Sequence, residues 1–389
     1  MDVEAILALI PEELLSELAL ESGVDKYSKK LQGKVLFKLL IHSILSHKDN
    51  SLRTMESAYE SIVFKLLNAD ADKGSIRYSS ISTRLSTVKV NYFERLYDKC
   101  VAIYGNEIGE RLSSITRFDS TIVCLSGKLL KTGYHFKSGA ASHVRQLKFT
   151  IGFSELPTSA YLFTEQKYTS ENAALKEAII EHRPFKENAI RIFDRGVTSR
   201  KTHDELTKKK IPFVSRVSTK SKQSVYRDNT LKKPINTPTL NIYSDSWVHL
   251  FTTHSGKAKY PIRLIKTKSI VTGEEIDFVS NIPDITAFEI TELYKRRWDI
   301  EVFFKFLKQE LNFSHLLNRS QNGITVVLYA TLIAAILLLV YKKKNHLNGY
   351  KIMKLRFVQE IERLITKDIV IMCDGSPILF DKYFGKPPS

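Results

Sequence analysis

Apolar residues recur at helical spacing from the start of the chain. Leu31 to Leu45 repeats them on one face of a 3.6-residue period, and Pro11-Glu12-Glu13 suits a helix start with proline at its first position. Residues 1 to 112 therefore read as helical. Within them Ser79-Ser80-Ile81-Ser82-Thr83-Arg84 opens a helix whose hydroxyls can cap it or touch phosphates. From Ile115 the period shortens to that of strands, in Ile115–Leu125, Val144–Phe153 and Tyr161–Thr164. A helix over Glu171–Glu181 and a short buried strand, Ile190–Phe193, follow. Next come a helix near Ser199–Lys209, a strand at Pro212–Val217, and then a basic, turn-rich stretch. Trp247–Thr253, Tyr260–Lys268 and Ile276–Ser280 resume the strand pattern, the last two joined through Thr272-Gly273. Thr286-x-x-Glu289 is a capping box for a long helix expected to run to about Leu311. Strands alternating with helices predict a mixed α/β sheet.

Ile324 to Tyr341 is almost unbroken apolar sequence with Lys342-Lys343-Lys344 behind it. About 18 such residues are the short limit for a membrane span. Thr325, Thr331 and the lack of any similar segment favour a core helix buried on all sides, so no membrane is expected; a membrane-anchored protein is the contrary reading.

Composition changes the picture through charge. The 389 residues are 43% hydrophobic, ordinary for a folded chain of two or three domains, but 59 Lys+Arg against 42 Asp+Glu leave a net charge of +17. Such an excess attracts polyanions. It is concentrated in two places. No acidic residue occurs from Ser120 to Ser154, where Lys128, Lys131, Lys137, Arg145 and Lys148 stand, and from Arg200 to Lys233 the acids are Asp204, Glu205 and Asp228 alone. Cys100, Cys124 and Cys373 show no zinc or disulfide spacing, and the start Met1-Asp2-Val3-Glu4 is acidic where a secretory signal is positive. A cytoplasmic, nucleoid-associated protein is expected.

The helix after Thr286 carries the most informative pattern. At 100° per residue Arg297, Glu301 and Lys308 fall at roughly −60°, −20° and −40° from Tyr294, while Ile300, Phe303, Phe306 and Leu307 face the other way. A tyrosine, an arginine and a lysine beside one carboxylate suit phosphate and metal together. A solvated face with pairs such as Glu301–Lys305 is the plainer alternative. Two aspartates bear on the choice: Asp119 lies inside an apolar strand run and Asp194 directly follows Ile190–Phe193. An ionised carboxylate beside a buried strand is costly unless paired or metal-bound. With Glu301 they supply three hard oxygen donors of the kind Mg²⁺ accepts. No HExxH, Walker loop, GxSxG or GxGxxG competes.

Tyr294-x2-Arg297-x3-Glu301-x6-Lys308 resembles the Y-R-E-K signature of the DDE insertion-sequence transposases of family four. Phe193-Asp194-Arg195-Gly196 resembles their second-aspartate segment, and the likeness extends from Asp119-Ser120-Thr121 to His315–Ser320 and the apolar helix. Val197 stands where the family often has an aromatic and Ser120 where glycine is common. The resemblance implies an RNase H-like catalytic core with catalytic Asp119, Asp194 and Glu301 holding two Mg²⁺ ions, replaceable by Mn²⁺. It implies cleavage at transposon ends, commonly through a hairpin, and joining of the 3′ ends to target DNA. Tyr294, Arg297 and Lys308 would grip the terminal 5′ phosphate. Trp298, at about +40° on the same wheel, can stack on an extruded base; Trp247 is a second candidate with a weaker case, since a strand tryptophan is usually core. The partners implied are terminal inverted repeats and target DNA, handled by a homodimer on paired ends. The alternative function is a non-catalytic, sequence-specific DNA-binding protein derived from a transposase.

The expected organisation is a helical N-terminal DNA-binding domain (1–112) and an RNase H-like core in two parts (113–218 and 284–345). A β-rich insertion (219–283) interrupts the core, and a helical C-terminal region (346–389) closes the chain.

Overall fold

The computed structural model describes residues 1–46, 50–68, 74–108, 114–126, 133–136, 144–182, 188–229, 231, 233–252 and 256–385. The chain opens with α1 (Val3–Ala8), α2 (Glu12–Ser22), α3 (Gly33–Ser46), α4 (Leu52–Glu60), α5 (Ile62–Leu67), α6 (Tyr78–Thr87) and α7 (Val90–Ile108). There follow β1 (Ile115–Ser126), β2 (Tyr134–Phe136), β3 (Val144–Ser154), β4 (Leu156–Phe163), α8 (Glu171–Glu181), β5 (Ile190–Phe193), α9 (Arg200–Lys208) and β6 (Phe213–Val217). Then come β7 (Gln223–Asp228), β8 (Ile235–Asn236), β9 (Leu240–Leu250), β10 (Ile262–Ser269) and β11 (Glu275–Ser280). The chain ends with α10 (Ala287–Lys295), α11 (Trp298–Glu310), α12 (Gln321–Lys344), α13 (Tyr350–Met372) and α14 (Pro377–Phe384). Two compact units result, Met1–Gly109 with Phe306–Ser389 and Glu110–Lys305, so the boundary falls inside α11.

The first unit is helical, and α12 is its core. By length and composition α12 could cross a membrane, but most of its apolar stretch is buried, against α1, α3, α6, α7 and α13. A helix buried all round needs no polar face, which is why its sequence reads like a span. Ser320 caps it by accepting from Gly323 N–H. Just before it, Asn318 Nδ2 donates to Ser82 O (2.9 Å), and Asn322 Nδ2 donates to Leu85 O (2.9 Å) and Val88 O (2.8 Å), so the 318–322 segment is tied to α6. Pro11 stands at the N-cap of α2, one place before the first helical position expected of it, because the helix begins at Glu12.

The second unit is a mixed sheet with helices on both faces. Its strand order is β2-β3-β1-β5-β6-β11-β10-β9-β7, with β4 paired to β3 and β8 to β9. β1, β5 and β6 run parallel and the rest pair antiparallel. One face packs Phe118, Phe193, Phe213 and Leu264 with Leu175 and Ile179 of α8 and Leu206 of α9. The other packs Ile115, Ile192, Val214 and Phe278 with Ile290 and Tyr294 of α10. Among the described residues, the strands of the β-rich stretch after Val217 all belong to this same sheet. β11 pairs with β6 from Asp277↔Val217 to Ser280↔Val214, so these strands extend the sheet that β1 and β5 begin.

A buried ion pair fixes the return from that stretch to α10. Arg263 Nε and Nη2 donate to Asp245 Oδ1 (2.8 Å) and Oδ2 (2.5 Å), and Arg263 Nη1 also donates to Ile285 O, just before the α10 cap. The α10 capping box forms as the sequence predicts: Glu289 N–H donates to Thr286 Oγ1 (3.1 Å) and Thr286 N–H to Glu289 Oε2 (2.7 Å).

Two histidines in this core give a pH-dependent stability. His182 packs edge-on to Phe118, His203 stacks on Phe213, and no ring nitrogen of either has a hydrogen-bond partner among the described residues. Burial, with Arg191 near His182 and Arg200 near His203, pushes both down from 6.5 to about 3. Below 6.5 the unfolded chain takes up protons that the folded one refuses, so stability falls as pH drops from 6.5 toward 3. At pH 5 the loss is about 2 kcal/mol per histidine. Urea midpoints should therefore fall between pH 7.5 and pH 5, and less steeply in His203→Phe; a pH-independent midpoint contradicts the assignment.

Candidate active site

Sheet register brings the two aspartates together. β1 and β5 are parallel, with Phe118 opposite Phe193, and Asp119 and Asp194 are the next residue on each strand line. Phe118 and Phe193 both point into the core under α8. Alternation along a strand therefore turns the next residues toward the opposite face, where α10 packs. Each carboxylate accepts from the amide that follows it, Ser120 N–H at 2.8 Å and Arg195 N–H at 2.7 Å.

From the α10 side, Tyr294 Oη donates to Asp194 Oδ1 (3.0 Å), and Arg297 Nη1 donates to Glu301 Oε1 (2.6 Å). Arg297 also lies 5.6 Å from the Tyr294 ring centre, and its charge reaches both aspartates. Asp119, Asp194, Tyr294, Arg297 and Glu301 thus form one electrostatic group. Burial raises Asp119 to about 6; the Ser120 amide and Arg297 oppose this, while Glu171 and Glu301 add to it. Tyr294 is also raised, first by burial and then by Asp194. Arg297 is raised despite its burial, because Tyr294, Glu301 and Asp194 hold its charge.

The expected continuous helix is broken. α10 ends at Lys295, α11 begins at Trp298, and Arg296 and Arg297 form a tight turn in which Arg297 N–H donates to Tyr294 O (2.8 Å). Arg117 anchors the break. Its side chain is 1% exposed, Nε donates to Arg296 O (2.8 Å), and Nη2 pairs with Asp299 at 2.8 Å. A buried cation on β1, one residue from Phe118, thereby sets where α11 starts. Phe303 stacks on Phe153 of β3, and Ile300, Phe303, Phe306 and Leu307 are buried as expected.

Trp298 is 62% exposed, so it is not a core residue. Lys308 is exposed on the last turn of α11 and belongs to the helical unit. Trp247 is half-buried on β9 with Arg227 5.6 Å from its ring centre. Among the basic residues, Lys128, Lys131 and Lys137 lie outside the described residues. Lys148 is buried and donates to Thr169 O (3.1 Å), so it does not belong to an exposed phosphate track.

Two groups were not singled out by the sequence. Glu171, the first residue of α8, lies close enough to raise Asp119, and a Cβ on Gly196 would stand 2.8 Å from its carboxyl carbon. In sequence it reads as an acidic residue favouring a helix start. Arg216 of β6 sits 5.9 Å from the Tyr294 ring centre; only the β5–β6 pairing brings it there.

Three carboxylates beside an arginine and a tyrosine suit a hard divalent cation and a phosphate in chemical kind. Among the described residues, no three such groups are drawn together closely enough to hold an ion jointly. Asp194 and Glu301 are instead engaged by Tyr294 and Arg297.

Residues 111–337 match a family model described as "Transposase DDE domain". The chain belongs to the DDE transposase family. That membership implies an RNase H-like core, and such domains are generally dependent on divalent metal. Three relatives agree, each named as a candidate transposase. One is y4zB of Sinorhizobium fredii, 28% identical over 41% of this chain and 44% of that protein. Another, from Synechocystis sp., is named for insertion sequence element IS4SA and is 26% identical over 81% of this chain and 84% of that protein. A third, from Geobacillus stearothermophilus, is named for element IS5377 and is 38% identical over 17% of this chain and 18% of that protein.

Proposed function

We propose that this DDE transposase is of the Y-R-E-K type of family four, cuts the ends of its insertion sequence and joins the freed 3′ ends to target DNA. The juxtaposition of Asp119 and Asp194 just past the last parallel pair of β1 and β5, with Tyr294, Arg297 and Glu301 near them, carries the reading. The relative named for IS4SA supports the family assignment. Asp119, Asp194 and Glu301 would hold two Mg²⁺ ions, or Mn²⁺ in their place. Bound there, the metal would lower the pKa of water and stabilise charge on the leaving oxygen.

The chain's own side chains do the rest. Arg297 can fork onto phosphate oxygens, and Tyr294 can donate one hydrogen bond to them. Both are held by carboxylate partners and pre-aimed at the site, which lowers the cost of ordering them on DNA. Arg216 adds a second positive charge at the Tyr294 ring. Trp298 is available to stack on an unpaired base. Lys308 acts as a further point charge on the phosphate. Two ends require two such sites, so the active unit is a homodimer.

Wild-type protein should nick duplexes carrying the DNA that borders the coding sequence in Mg²⁺ or Mn²⁺ and be inert in EDTA. Arg297→Ala and Lys308→Ala should retain reduced first-strand nicking and lose second-strand cleavage further, since the terminal phosphate must be held while the strand bends back. Tyr294→Phe should show the same bias more mildly, one hydrogen bond to a charged group being worth roughly 1.5–3 kcal/mol. Equal loss at both steps, resolved on denaturing gels, would remove the phosphate-grip role.

A further inference from the structure

β1 turns two charged side chains toward the face where α10 packs. Arg117 and Asp119 are two residues apart, so strand alternation points both the same way, as it does Ile115. Asp119 belongs to the carboxylate site, whereas Arg117 has no part in its chemistry. Arg117 is nonetheless one of the largest fully buried side chains of the chain, and an unpaired cation there would be costly. Its polar partners lie where α10 gives way to α11. Arg296 is the C-cap of α10, and its carbonyl, one of those a helix end leaves open, accepts from Arg117 Nε (2.8 Å). Asp299, in the first turn of α11, lies 2.8 Å from Arg117 Nη2. One planar guanidinium thus holds the end of one helix and the start of the next, a task its rigid fork suits and an ammonium does not.

Glu155 converges on the same break from another strand. It is the single residue between β3 and β4 and holds a left-handed backbone, φ 67°. Glycine takes that conformation freely, and glutamate takes it under strain. Its carboxylate stands 3.0 Å from Arg296 Nη2 and 3.6 Å from Arg117 Nη2, so the strained turn delivers an anion to the two arginines. Phe153, opposite Arg117 in the β1–β3 register, stacks on Phe303 with ring centres 4.5 Å apart. The strands therefore grip α11 at Asp299 and at Phe303, two residues to either side of Glu301.

We propose that Arg117, braced by Glu155, is a positioning residue for DNA cleavage: it fixes the Arg296–Asp299 turn to the strand that carries Asp119, and so sets where Arg297 and Glu301 stand relative to that carboxylate. The proposal rests on the reading of Asp119 and Glu301 as cleavage residues. With its side chain 1% exposed, Arg117 is out of reach of DNA, and its effect on the reaction runs through α11 alone.

The test uses full-length Arg117→Met/Asp299→Asn, which removes the anchor without stranding a buried charge, and Glu155→Gly, which removes the brace together with its backbone strain. Three quantities are read: first-strand nicking at saturating bordering DNA in Mg²⁺, affinity for that duplex in EDTA, and amide hydrogen exchange in peptides covering residues 293–301. In the double variant nicking should fall on the order of 10²-fold, the cost of displacing a reacting group by about 1 Å. Affinity should stay within a few-fold of wild type, and exchange should quicken in 293–301 and not in β5. Glu155→Gly should melt close to wild type, since relief of strain offsets an ion pair with a half-exposed arginine, and still nick more slowly. A residue serving stability alone does not give that combination. Arg117→Lys keeps the charge without the fork and should fall between wild type and the double variant. Should the double variant fail to fold, Glu155→Gly and Arg117→Lys decide. Wild-type nicking in these variants, a loss accounted for by weaker DNA binding, or unaltered exchange in 293–301 would overturn the proposal. Asp119→Asn is assayed in parallel: normal nicking by it removes the cleavage-site reading, whereas its loss beside normal nicking in the Arg117 variants removes the positioning role alone.

Discussion

Asp119→Asn, Asp194→Asn and Glu301→Gln should each lower end cleavage on the order of 10³-fold or more, the several kcal/mol of charge stabilisation that a lost metal ligand forfeits. Binding of the same DNA in EDTA should stay within a few-fold of wild type. Asp119→Asn is the most discriminating of the three. Burial already opposes ionisation of Asp119, and Glu171 and Glu301 add like charge, so its carboxylate is held at a cost in stability. Asparagine keeps an oxygen to accept from Ser120 N–H and removes the charge. The variant should therefore melt no lower than wild type, and higher if the site is strained for function. Mg²⁺ should raise the melting temperature of the wild type and leave that of Asp119→Asn unmoved. Normal nicking by Asp119→Asn would remove it from the site, and a large fall in melting temperature would recast it as a structural residue.

The local elements could be read from the sequence where a short segment decides its own conformation. α8 spans Glu171–Glu181 and β5 Ile190–Phe193, as periodicity predicts, and Thr286 with Glu289 makes the expected cap. Tyr294 reaches Asp194, and Arg297 and Glu301 lie near enough to act on Asp119 through their charge, although the continuous helix behind that expectation does not exist. The break at Arg296–Arg297 contains neither glycine nor proline. Its cause is Arg117, a residue 179 positions away, whose guanidinium holds the Arg296 carbonyl. A wheel drawn through the break remains a fair guide, because the break is bridged by i→i−3 bonds, from Arg296 N–H to Leu293 O and from Ile300 N–H to Arg297 O, that keep a helical turn.

Pairing between distant strands was harder to see. Nothing local in Glu275–Ser280 says that it will lie against Phe213–Val217, so the sequence could mark the stretch as β-rich but could not show that its strands continue the same sheet. Lys148 misled for the opposite reason. A lysine in a basic run reads as exposed, yet alternation on β3 turns this one inward to a carbonyl. The partition of α12 with the N-terminal helices likewise depends on contacts that cross more than two hundred residues.

Asp245→Ala should cost 3–5 kcal/mol of stability, the usual penalty for leaving one partner of a buried ion pair uncompensated. Asp245 is 4% exposed and supplies both oxygens to Arg263, itself 6% exposed, so neither water nor rotation can replace the lost charge. The effect should reach the catalytic helices. Arg263 also donates to the Ile285 carbonyl immediately before the α10 cap, and α10 carries Tyr294. A guanidinium without Asp245 loses the fork that aims Nη1 at that carbonyl, loosening the start of α10. Nicking should thus fall even at temperatures where Asp245→Ala remains folded. Removing both charges tests the cause. Asp245→Leu/Arg263→Met replaces the pair with apolar groups of similar volume and should recover much of the stability, because no buried charge is stranded. It cannot restore the bond to Ile285 O, so nicking should stay depressed while the urea midpoint recovers. Recovery of both together would mean that the pair serves the core alone; recovery of neither would mean that the bidentate geometry, and not the stranded charge, holds these strands.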